Sequence, residues 1–548
     1  MPKIDKYRKR LNSLENKFES YKTHLDDIVQ HLLPQHGLYL KRTDQQDSDR
    51  GKKKNQKIIN NTPKESLRTL ASGMHGGLTS PSRPWFVLTI DDEALKENQG
   101  VKDWLHDVRN IMFAALARSN FYDVIYSIYL ELAAFGTAAM LIEEDFESII
   151  RFKPLTIGSF YLAQDANQRV NTLYHKLSMT SEQLVEKFGE DKVSQSVLTC
   201  YQNGQKDKSF EIVQCIQPQT EPELAERFPY ELVYYEKSGD GDNILLKSGY
   251  RNKPFVAPRW ELIGDNIYGN SPGMDALGDI RMLQTMENKK LKGLDKTVDP
   301  PMNAPMNMKG KAKSVVAGAV NYSDVTQGQQ GFQPTYQVSL DYSNIAFELD
   351  RVENRIRKNF FNDIFLTISS QQKQMTATEV ARRHEERLMV FGPILERLNS
   401  ELFADLIDRV YLILDGFGQI PEAPEELTGK EVDVEYVSIL AQSQKAVSTG
   451  AIEQLLNFTG AAANLDPSAV NKVDVQESID QYADLVGVPP KIVRSDVAVA
   501  AIEQQQAAQR AAAQAMQNSR ELAETSKTLS DTELDKNSAL DGIVEGTQ

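Results

Sequence analysis

The sequence predicts a multi-domain α+β protein, and three observations support this fold class. The 548 residues are too many for one ordinary hydrophobic core, so we expect three or four substructures. Between Ala138 and Leu262 apolar residues recur with a period of two, which is typical of antiparallel strands. In the segments before and after this block, apolar residues recur every three or four positions, which is typical of amphipathic helices. Strands and helices that occupy separate blocks indicate an α+β architecture.

Composition indicates a globular protein, with 40% hydrophobic and 25% charged residues. The two cysteines, Cys200 and Cys215, have no CxxC partner, which argues against a disulfide framework or a thiolate metal site and favours a reducing compartment. The net charge of -15 argues against a protein that simply binds nucleic acid tightly, because phosphate binding needs clustered Lys and Arg. The stretch from Asp275 to Leu366 differs, since it holds 12 basic and 11 acidic residues. We therefore expect a separate role for this middle segment.

The best candidate for a membrane span is the segment from Ile125 to Ile142. It is long enough, but Glu131 near its middle would cost about 2.5 to 3.5 kcal/mol on insertion. A buried core helix that runs into a strand is favoured instead. The N-terminal sequence MPKIDKYRKRLNSLENKF has no apolar stretch after its basic residues, so we expect no secretory signal.

Two helices are predicted before the strand block. The first ends near Pro34, and its apolar residues recur at helical steps: Leu11, Leu14, Phe18, Tyr21, Leu25, Ile28 and Leu32. The charged sequence KRTDQQDSDRGKKKNQK that follows is typical of a solvated, mobile loop. The second helix is predicted from Asn61 to Gly73, with Thr62 as the N-cap and Pro63 at the first helical position.

The strand block itself contains four segments with strand-like alternation. They are IIRFKPL, SFYLAQDANQRVNTLYHKLSM, FEIVQCIQ and ELVYYEKSGDGDNILLK, with Asn, Asp and Gly at the turns. A short helix, TSEQLVEKFG, interrupts them. Thr180 and Gln183 have the spacing of a capping box at its start.

Two amphipathic helices flank an irregular segment in the middle of the chain. Asp275 to Thr297 and Ser343 to Phe365 each carry an apolar stripe at helical spacing. The segment between them is rich in Pro, Gly and Met. A stretch of that length without clear structure is usually functional or pairs with another chain.

The C-terminal part is predicted to be helical. A helix from Thr376 to Leu414 should be kinked at Gly392-Pro393, because proline removes a backbone donor. A helical region from Ser443 to Leu485 follows. From Asp496 to about Thr528 the chain is rich in Ala and Gln, which favours a helix that buries little alone and packs against its own copies. The last twenty residues are polar and predicted to be disordered.

The sequence lacks the common motifs of enzymes and metal sites. No two histidines have HExxH spacing, and no GxxxxGK[ST], GxSxG or GxGxxG motif occurs. The carboxylate pairs Glu143-Glu144 and Asp91-Asp92 lie in charged stretches that are typical of solvated surface. We therefore predict a protein that is not an enzyme and needs no cofactor or metal.

The stretch SGMHGGLTSPSRPWF resembles a catalytic loop at first sight, because it combines glycines, prolines and His75. Its histidine has no carboxylate or Cys close in sequence except Glu65, ten residues away. A tight turn from helix to strand, with Trp85 and Phe86 anchored in a core, is favoured over catalysis.

Three segments in order resemble the head-to-tail connector, or portal protein, family of short-tailed bacteriophages (podoviruses). They are SGMHGGLTSPSRPWF, YGNSPGMDALGDIRMLQTMENKK and MTATEVARRHEER, and a Pro/Gly/Met-rich insert separates the second from the third. The resemblance covers Lys6 to Pro490. It implies a homo-oligomeric ring, a dodecamer in this family, at one vertex of the head, through which double-stranded DNA enters and leaves.

The resemblance also implies a domain order of wing, stem, clip and crown. The boundaries are wing 1–272, first stem helix 273–299, clip 300–341, second stem helix 342–366, channel loop 367–375, wing spine helix and return 376–440, crown 441–495, barrel helix 496–528 and tail 529–548. The partners it implies are the major capsid protein, the terminase large subunit, head-tail adaptor and tail proteins, and scaffolding or internal core proteins. It implies no membrane partner. The alternative is another oligomeric virion protein, such as a scaffold or internal core protein.

Three groups of residues are expected to serve this function. The channel loop would contact sliding DNA without gripping it, through Ser369, Ser370, Gln371, Gln372, Lys373 and Gln374. A capping box from Thr376 to Glu379 should begin the helix after it. The stem would carry basic belts at Lys289, Lys290, Lys292, Lys296, Arg351, Arg355, Arg357 and Lys358. The clip would meet terminase and adaptor through Met302, Met306, Met308, Lys309, Lys311 and Lys313.

Overall fold

The computed structural model describes sixteen parts of the chain: residues 4–38, 57–90, 92, 95, 98–237, 244–298, 302–303, 333–334, 341–364, 391–427, 433–436, 439–463, 466, 472–486, 492–493 and 496–530. The chain divides into two compact units. The first comprises Met1–Thr89, Asp107–Glu422 and Val432–Gln444. The second comprises Ile90–His106, Ala423–Glu431 and Lys445–Gln548.

Helices make up most of the described chain, and antiparallel strands fill its middle. The helices are α1 (Asp5–His31), α2 (Thr62–Leu78), α3 (Gln99–Arg118), α4 (Phe121–Phe135), α5 (Ser181–Phe188), α6 (Gln195–Gln202), α7 (Pro222–Ala225), α8 (Pro272–Asp275), α9 (Leu277–Val298), α10 (Tyr342–Asn359), α11 (Ala404–Gly416), α12 (Ile439–Ala463), α13 (Val475–Val486) and α14 (Asp496–Ser530). Short 3-10 turns lie at Pro34–Leu38 and Glu425–Leu427. The α+β class is confirmed.

The strands form two larger antiparallel sheets and two strand pairs. The strands are β1 (Phe86–Thr89), β2 (Ala139–Asp145), β3 (Ile149–Leu155), β4 (Phe160–Gln164), β5 (Val170–Thr180), β6 (Ser209–Pro218), β7 (Tyr230–Glu236), β8 (Ile244–Tyr250), β9 (Phe255–Val256), β10 (Met302–Asn303), β11 (Gln333–Pro334) and β12 (Asp433–Tyr436). One sheet has the order β4-β5-β6-β7-β8 and the other β3-β2-β9. The pairs are β1-β12 and β10-β11. All four predicted strand segments lie in these sheets.

The predicted core helix that runs into a strand is α4 followed by β2. Every residue from Leu132 to Phe135 is buried, and Glu131 is buried with them. Glu131 Oε1 lies 3.2 Å from His36 Nδ1, a contact that offsets part of the cost of burying this carboxylate. In the described part of the chain no helix is long and apolar enough to cross a membrane.

A close crossing of two backbones fixes the position of α8 and hence the start of α9. Gly136 ends α4 with φ of 74°, and a Cβ there would collide with the carbonyl of Gly269. Thr137 Oγ1 accepts a hydrogen bond from Gly269 N at 2.8 Å, and Ser271 Oγ donates to Ala134 O at 2.8 Å. The sequence YGNSPGMD is therefore held against the end of α4 by contacts that larger residues would block.

The stretch around His75 differs from the prediction. Helix α2 continues through His75 and its two glycines to Leu78, so the turn toward β1 begins at Thr79 and not after Gly73. Two glycines in a helix cost about 1 kcal/mol each, which a buried helix face can offset. The predicted anchor is confirmed, because Trp85 and Phe86 are both buried.

Other local predictions have mixed outcomes. The capping box of α5 is confirmed, with Gln183 N donating to Thr180 Oγ1 and Thr180 N donating to Gln183 Oε1. The predicted N-cap at Thr62 is wrong, since Thr62 is already helical and its N–H donates to Asn60 Oδ1. Around Pro393 the residues 391–398 are helical, and the described irregularity is a π-turn at Asn399–Phe403.

The second unit includes α13, α14 and most of α12, and these three helices expose several apolar residues. Tyr482 Oη on α13 donates to Glu453 on α12 at 2.8 Å, and Gln476 on α13 donates to Glu503 on α14 at 2.9 Å. Large apolar side chains remain exposed on all three helices, among them Phe458 and Met516. The predicted packing of α14 against its own copies stays a prediction. The tail predicted to be disordered was 529–548, but Leu529 and Ser530 still belong to α14, which corrects that boundary. Residues 531–548 lie outside the described residues.

Candidate functional site

The two amphipathic helices α9 and α10 form a hairpin, which we call the stem hairpin. Its base is apolar, because Leu277, Ile280 and Leu283 of α9 are buried with Leu349 and Val352 of α10. The predicted stripes therefore pack as expected at this end. Each such side chain contributes about 1.5–3 kcal/mol when fully buried, so the base holds the hairpin to the rest of the first unit.

Asn60 joins the base of the stem hairpin to the start of α2. Its N–H donates to Gln284 Oε1 at 2.9 Å, and Gln284 Nε2 donates back to its carbonyl at 2.8 Å. Its side-chain Nδ2 donates to Glu287 on α9 at 3.2 Å and to Glu353 on α10 at 2.9 Å. A single amide thus ties both helices to one point, and this fixes the direction in which the hairpin projects.

The distal half of the stem hairpin, residues 288–298 of α9 and 341–348 of α10, has no buried residue. Several large apolar side chains there are exposed: Leu291 (46%), Leu294 (43%), Val298 (77%), Tyr342 (44%) and Phe347 (63%). The apolar stripe of each helix continues past the point where the chain itself can cover it. A group of large exposed apolar side chains in one segment indicates a contact with another protein.

The two distal segments carry opposite charge. On α9, residues 288–298 contain four lysines and one aspartate. On α10, residues 341–350 contain three acidic residues, Asp341, Glu348 and Asp350, and no basic residue. On α9 the helical spacing places Lys289, Lys292 and Lys296 on the side opposite Leu291, Leu294 and Val298, so this helix has a basic side and an apolar side. On α10 the exposed Phe347 lies between Glu348 and Asp350, so the acidic and apolar residues share one side.

The predicted basic residues of the stem are all exposed or half-exposed on this hairpin. Arg355 Nη2 donates to Asp279 at 2.8 Å and Arg357 Nη2 to Glu353 at 2.9 Å, so these two arginines serve contacts near the base. Lys290 lies 3.3 Å from Glu287, and Arg351 lies 3.8 Å from Glu348. The other distal lysines and Lys358 are exposed to solvent. Which of them face a channel stays a prediction.

The other predicted residues are covered only in part. Met302 lies in β10, where it pairs with Pro334 of β11, so the two ends of the insert are brought together. Met306, Met308, Lys309, Lys311 and Lys313 lie outside the described residues. The channel loop, Ser369 to Gln374, and the capping box at Thr376 lie outside them as well.

Sequence reasoning missed two buried arginine clamps between the sheets and the helix that contains the π-turn. Arg259 donates to Glu401 through its backbone N–H at 3.0 Å, its Nε at 3.1 Å and its Nη2 at 2.6 Å. Arg409 donates to Asn252 at 2.6 Å and to Glu144 at 3.2 Å. The partners are more than 140 residues apart in each carboxylate pair, so no local pattern could reveal them.

The buried carboxylates contact side chains of other elements. Burial raises the pKa of Glu131, and His36 opposes this shift. Glu231 accepts hydrogen bonds from Tyr7 Oη at 3.1 Å and Gln217 Nε2 at 2.5 Å, which ties α1 to the large sheet. Among the residues that the structure describes, no group of three His, Cys, Asp or Glu side chains could hold a metal ion. These groups connect elements of the fold.

Comparison with known proteins identifies the family. The model of the bacteriophage head to tail connecting protein family matches residues 4–493. The chain belongs to this family. The probable portal protein of Bordetella phage BPP-1 is 36% identical over 539 residues, covering 97% of this chain and 96% of that protein. The portal protein of Salmonella phage epsilon15 is 36% identical over 541 residues, covering 98% and 97%.

More distant similarities are also found. The portal protein of Enterobacteria phage T3 is 22% identical over 446 residues, covering 75% of each chain. Two chains from gene transfer agent structures, a native virion and the neck of an empty particle, are 12% identical and cover 79% of this chain and 91% of their own, with TM-scores of 0.37 and 0.38. The family is one of structural proteins at the head-tail junction of the virion, and the chain is a head-to-tail connector. The alternative of a scaffold or internal core protein is not favoured.

Proposed function

We propose that twelve copies of this chain close into a ring that serves as the conduit for double-stranded DNA during packaging and ejection. The observation that carries the proposal is the distal half of the stem hairpin, where exposed apolar residues and opposite charges lie on two adjacent helices. In a ring of identical copies, each copy contacts its two neighbours through two different surfaces. These two surfaces must therefore be complementary to each other. The two faces of the hairpin supply such a pair, while the copy number rests on the family alone.

In this proposal the basic face of α9 contacts the acidic face of α10 on the next copy. Lys289 and Lys292 would approach Glu348 and Asp350 of the neighbour, and their aliphatic stems would cover the Phe347 that lies between those acidic residues. Burial of the exposed apolar area would drive the association, and the charges would fix its direction. The remaining basic residues of the stem would face the channel or the capsid shell.

The acidic balance of the chain suits a conduit. With a net charge of -15, the wall would hold the DNA phosphates weakly, so the duplex could slide. The polar channel loop from Ser369 to Gln374, with Lys373 as its single charge, would contact the passing strand without gripping it. The chain itself performs no reaction in this account, and the terminase large subunit supplies the motor.

The clip is proposed to contact the terminase during packaging and the head-tail adaptor and tail proteins afterwards. Residues proposed for these contacts are Met302, Met306, Met308, Lys309, Lys311 and Lys313. Pairing of β10 with β11 supports the placement of the insert as one projecting unit. The wing is proposed to contact the major capsid protein, and the crown the scaffolding or internal core proteins.

Deletion of Ser370 to Gln374 tests the conduit directly. We expect rings of wild-type mass but a lower yield of DNA-filled particles, because the loop would no longer guide or retain the duplex. A matched control deletes the same number of residues from the charged stretch at 44–48, which is expected to leave packaging unchanged. Normal packaging and retention in the loop deletion would refute its proposed role.

A further inference from the structure

A phenylalanine at the tip of the β2–β3 hairpin is almost completely exposed. Phe146 is 98% exposed, although its side chain is among the most apolar of all. Its ring lies 6.4 Å from the ring of Phe417, which follows α11 and is also exposed. We call these two neighbouring exposed side chains the Phe146 knob.

The turn that displays Phe146 is internally fixed. Asp145 accepts hydrogen bonds from Ser148 N at 3.3 Å and from Ser148 Oγ at 2.6 Å, and the same hydroxyl lies 3.0 Å from Ile150 O. Ile149 closes the turn with φ of 69°, a conformation that glycine usually supplies in three-residue hairpin loops. A β-branched residue in this conformation is strained, and such strain concentrates where function requires a fixed geometry.

The helix end beside the turn is anchored as well. Arg409 on α11 is buried and donates to Glu144 of β2 at 3.2 Å and to Asn252 at 2.6 Å. Asn120 also accepts from Phe152 N on β3 at 2.9 Å and donates to its carbonyl at 2.8 Å. These contacts fix the hairpin and the helix from which the two phenylalanines extend. A preorganised, exposed aromatic pair has the properties of a binding anchor.

The surroundings of the knob are mainly acidic. Glu144, Glu147 and Asp415 are exposed around it. The basic side chains of β3 lie further along the hairpin, where Arg151 is opposite Glu143 in the strand register and Lys153 forms an ion pair with Glu143. This charge disfavours nucleic acid and anionic lipid as the occupant. It favours a protein surface with lysines or arginines.

We propose that the Phe146 knob docks into an apolar socket rimmed by basic side chains on another protein of the virus particle, and not on a second copy of this chain. Among the described residues, the distal segment of α9 carries both exposed apolar and basic side chains, but on opposite sides of the helix, and the ring proposed above assigns its basic side to the neighbouring α10. The inference rests on that proposed function, because the partner becomes available when the ring enters a particle.

Thiol protection tests this docking. Both natural cysteines, Cys200 and Cys215, are buried, so Glu147→Cys places an accessible thiol beside Phe146 and leaves both phenylalanines intact. Glu190→Cys, in an exposed loop, is the matched control. Alkylation by iodoacetamide is followed by mass spectrometry of the labelled peptide in isolated rings and in assembled particles.

The expected result is that the thiol introduced by Glu147→Cys reacts fully in rings and at least about tenfold more slowly in particles, as inside a water-excluding interface. The control thiol should react equally in both. Equal reactivity of the tested thiol in rings and particles would overturn the proposal. Protection already present in isolated rings would also overturn it, because a second copy would then cover the knob.

A second pair of variants separates docking from folding and from the proposed function. Phe146→Ala combined with Phe417→Ala removes only exposed side chains, so ring formation and the midpoint of thermal unfolding should match those of the wild type. The number of rings incorporated per virus particle should fall about tenfold. Ile263→Ala, which also removes an exposed apolar side chain, is the control and should incorporate normally. Normal incorporation of the double variant would refute the docking. If the wild-type chain itself formed no ring, the proposed function would fail instead.

Discussion

Arg259 and Glu401 show how single residues connect distant parts of the first unit. Arg259 is 2% exposed, and beyond Glu401 it also donates to Gln164 Oε1 at 3.1 Å and to Gln168 O at 2.9 Å. Its guanidinium is therefore paired and hydrogen-bonded, as a buried charge must be. Because Glu401 lies in the π-turn, the clamp fixes the helix at the point where its register is irregular.

Glu401→Gln is expected to lower the free energy of unfolding by about 3–5 kcal/mol, because it leaves the buried guanidinium without a counter-charge. Urea titration measures this as a lower midpoint with an unchanged slope. Glu182→Gln is the control, since Glu182 and its partner Lys206 are both about half exposed. An equal, small shift for both variants would show that the clamp does not stabilise the fold.

His175 makes stability depend on pH. Burial on β5 lowers the pKa of His175 from 6.5 to about 4. Above pH 6.5 the ring is neutral in both states, but as the pH falls toward 4 the unfolded chain gains a proton that the folded chain does not. The stabilisation is therefore present above pH 6.5 and is lost as the pH falls through this range.

His175→Gln removes this titration, so its free energy of unfolding relative to the wild type should rise as the pH falls from 7 to 4.5. Urea unfolding at several pH values in this range measures the difference. Val213→Ala, a neutral buried change in the adjacent strand, should keep a constant offset from the wild type. A constant offset for His175→Gln as well would contradict the prediction.

The stem hairpin is the element on which assembly depends in this account. Periodicity predicted both helices well: the predicted spans were Asp275–Thr297 and Ser343–Phe365, and α9 and α10 match them closely, although α10 ends earlier, at Asn359. The periodicity could not show that only the base of each stripe is buried within the chain. A regular stripe has the same pattern whether a neighbouring helix or another copy covers it.

Charge reversal tests the interface between copies. Lys289→Glu with Lys292→Glu on α9 should abolish rings, because like charges would meet the acidic face of the neighbouring α10. Adding Glu348→Lys and Asp350→Lys should restore them. Native mass spectrometry reads the assembly, and thermal unfolding of the monomer should be the same in all variants. Rings that form equally well in the first variant, or that are not restored in the second, would refute this contact.

At the scale of the whole molecule, the sequence identified the family and the local elements but not the long-range contacts. The capping box at Thr180 is found because its partners are three residues apart. The pairing of Phe86 with Tyr436 joins β1 to β12 across about 350 residues, and the hydrogen bonds of Asn60 to α9 and α10 span more than 220. No local period records such partners. The same holds for the Phe146 knob, since exposure depends on what the rest of the chain leaves uncovered.

Electron microscopy of the purified chain tests the central claim most directly. The account predicts closed rings with a central opening wide enough for a DNA duplex, with the stem hairpins of adjacent copies in contact. A purified chain that stays monomeric under every assembly condition, or that forms oligomers without a central opening, would contradict this claim.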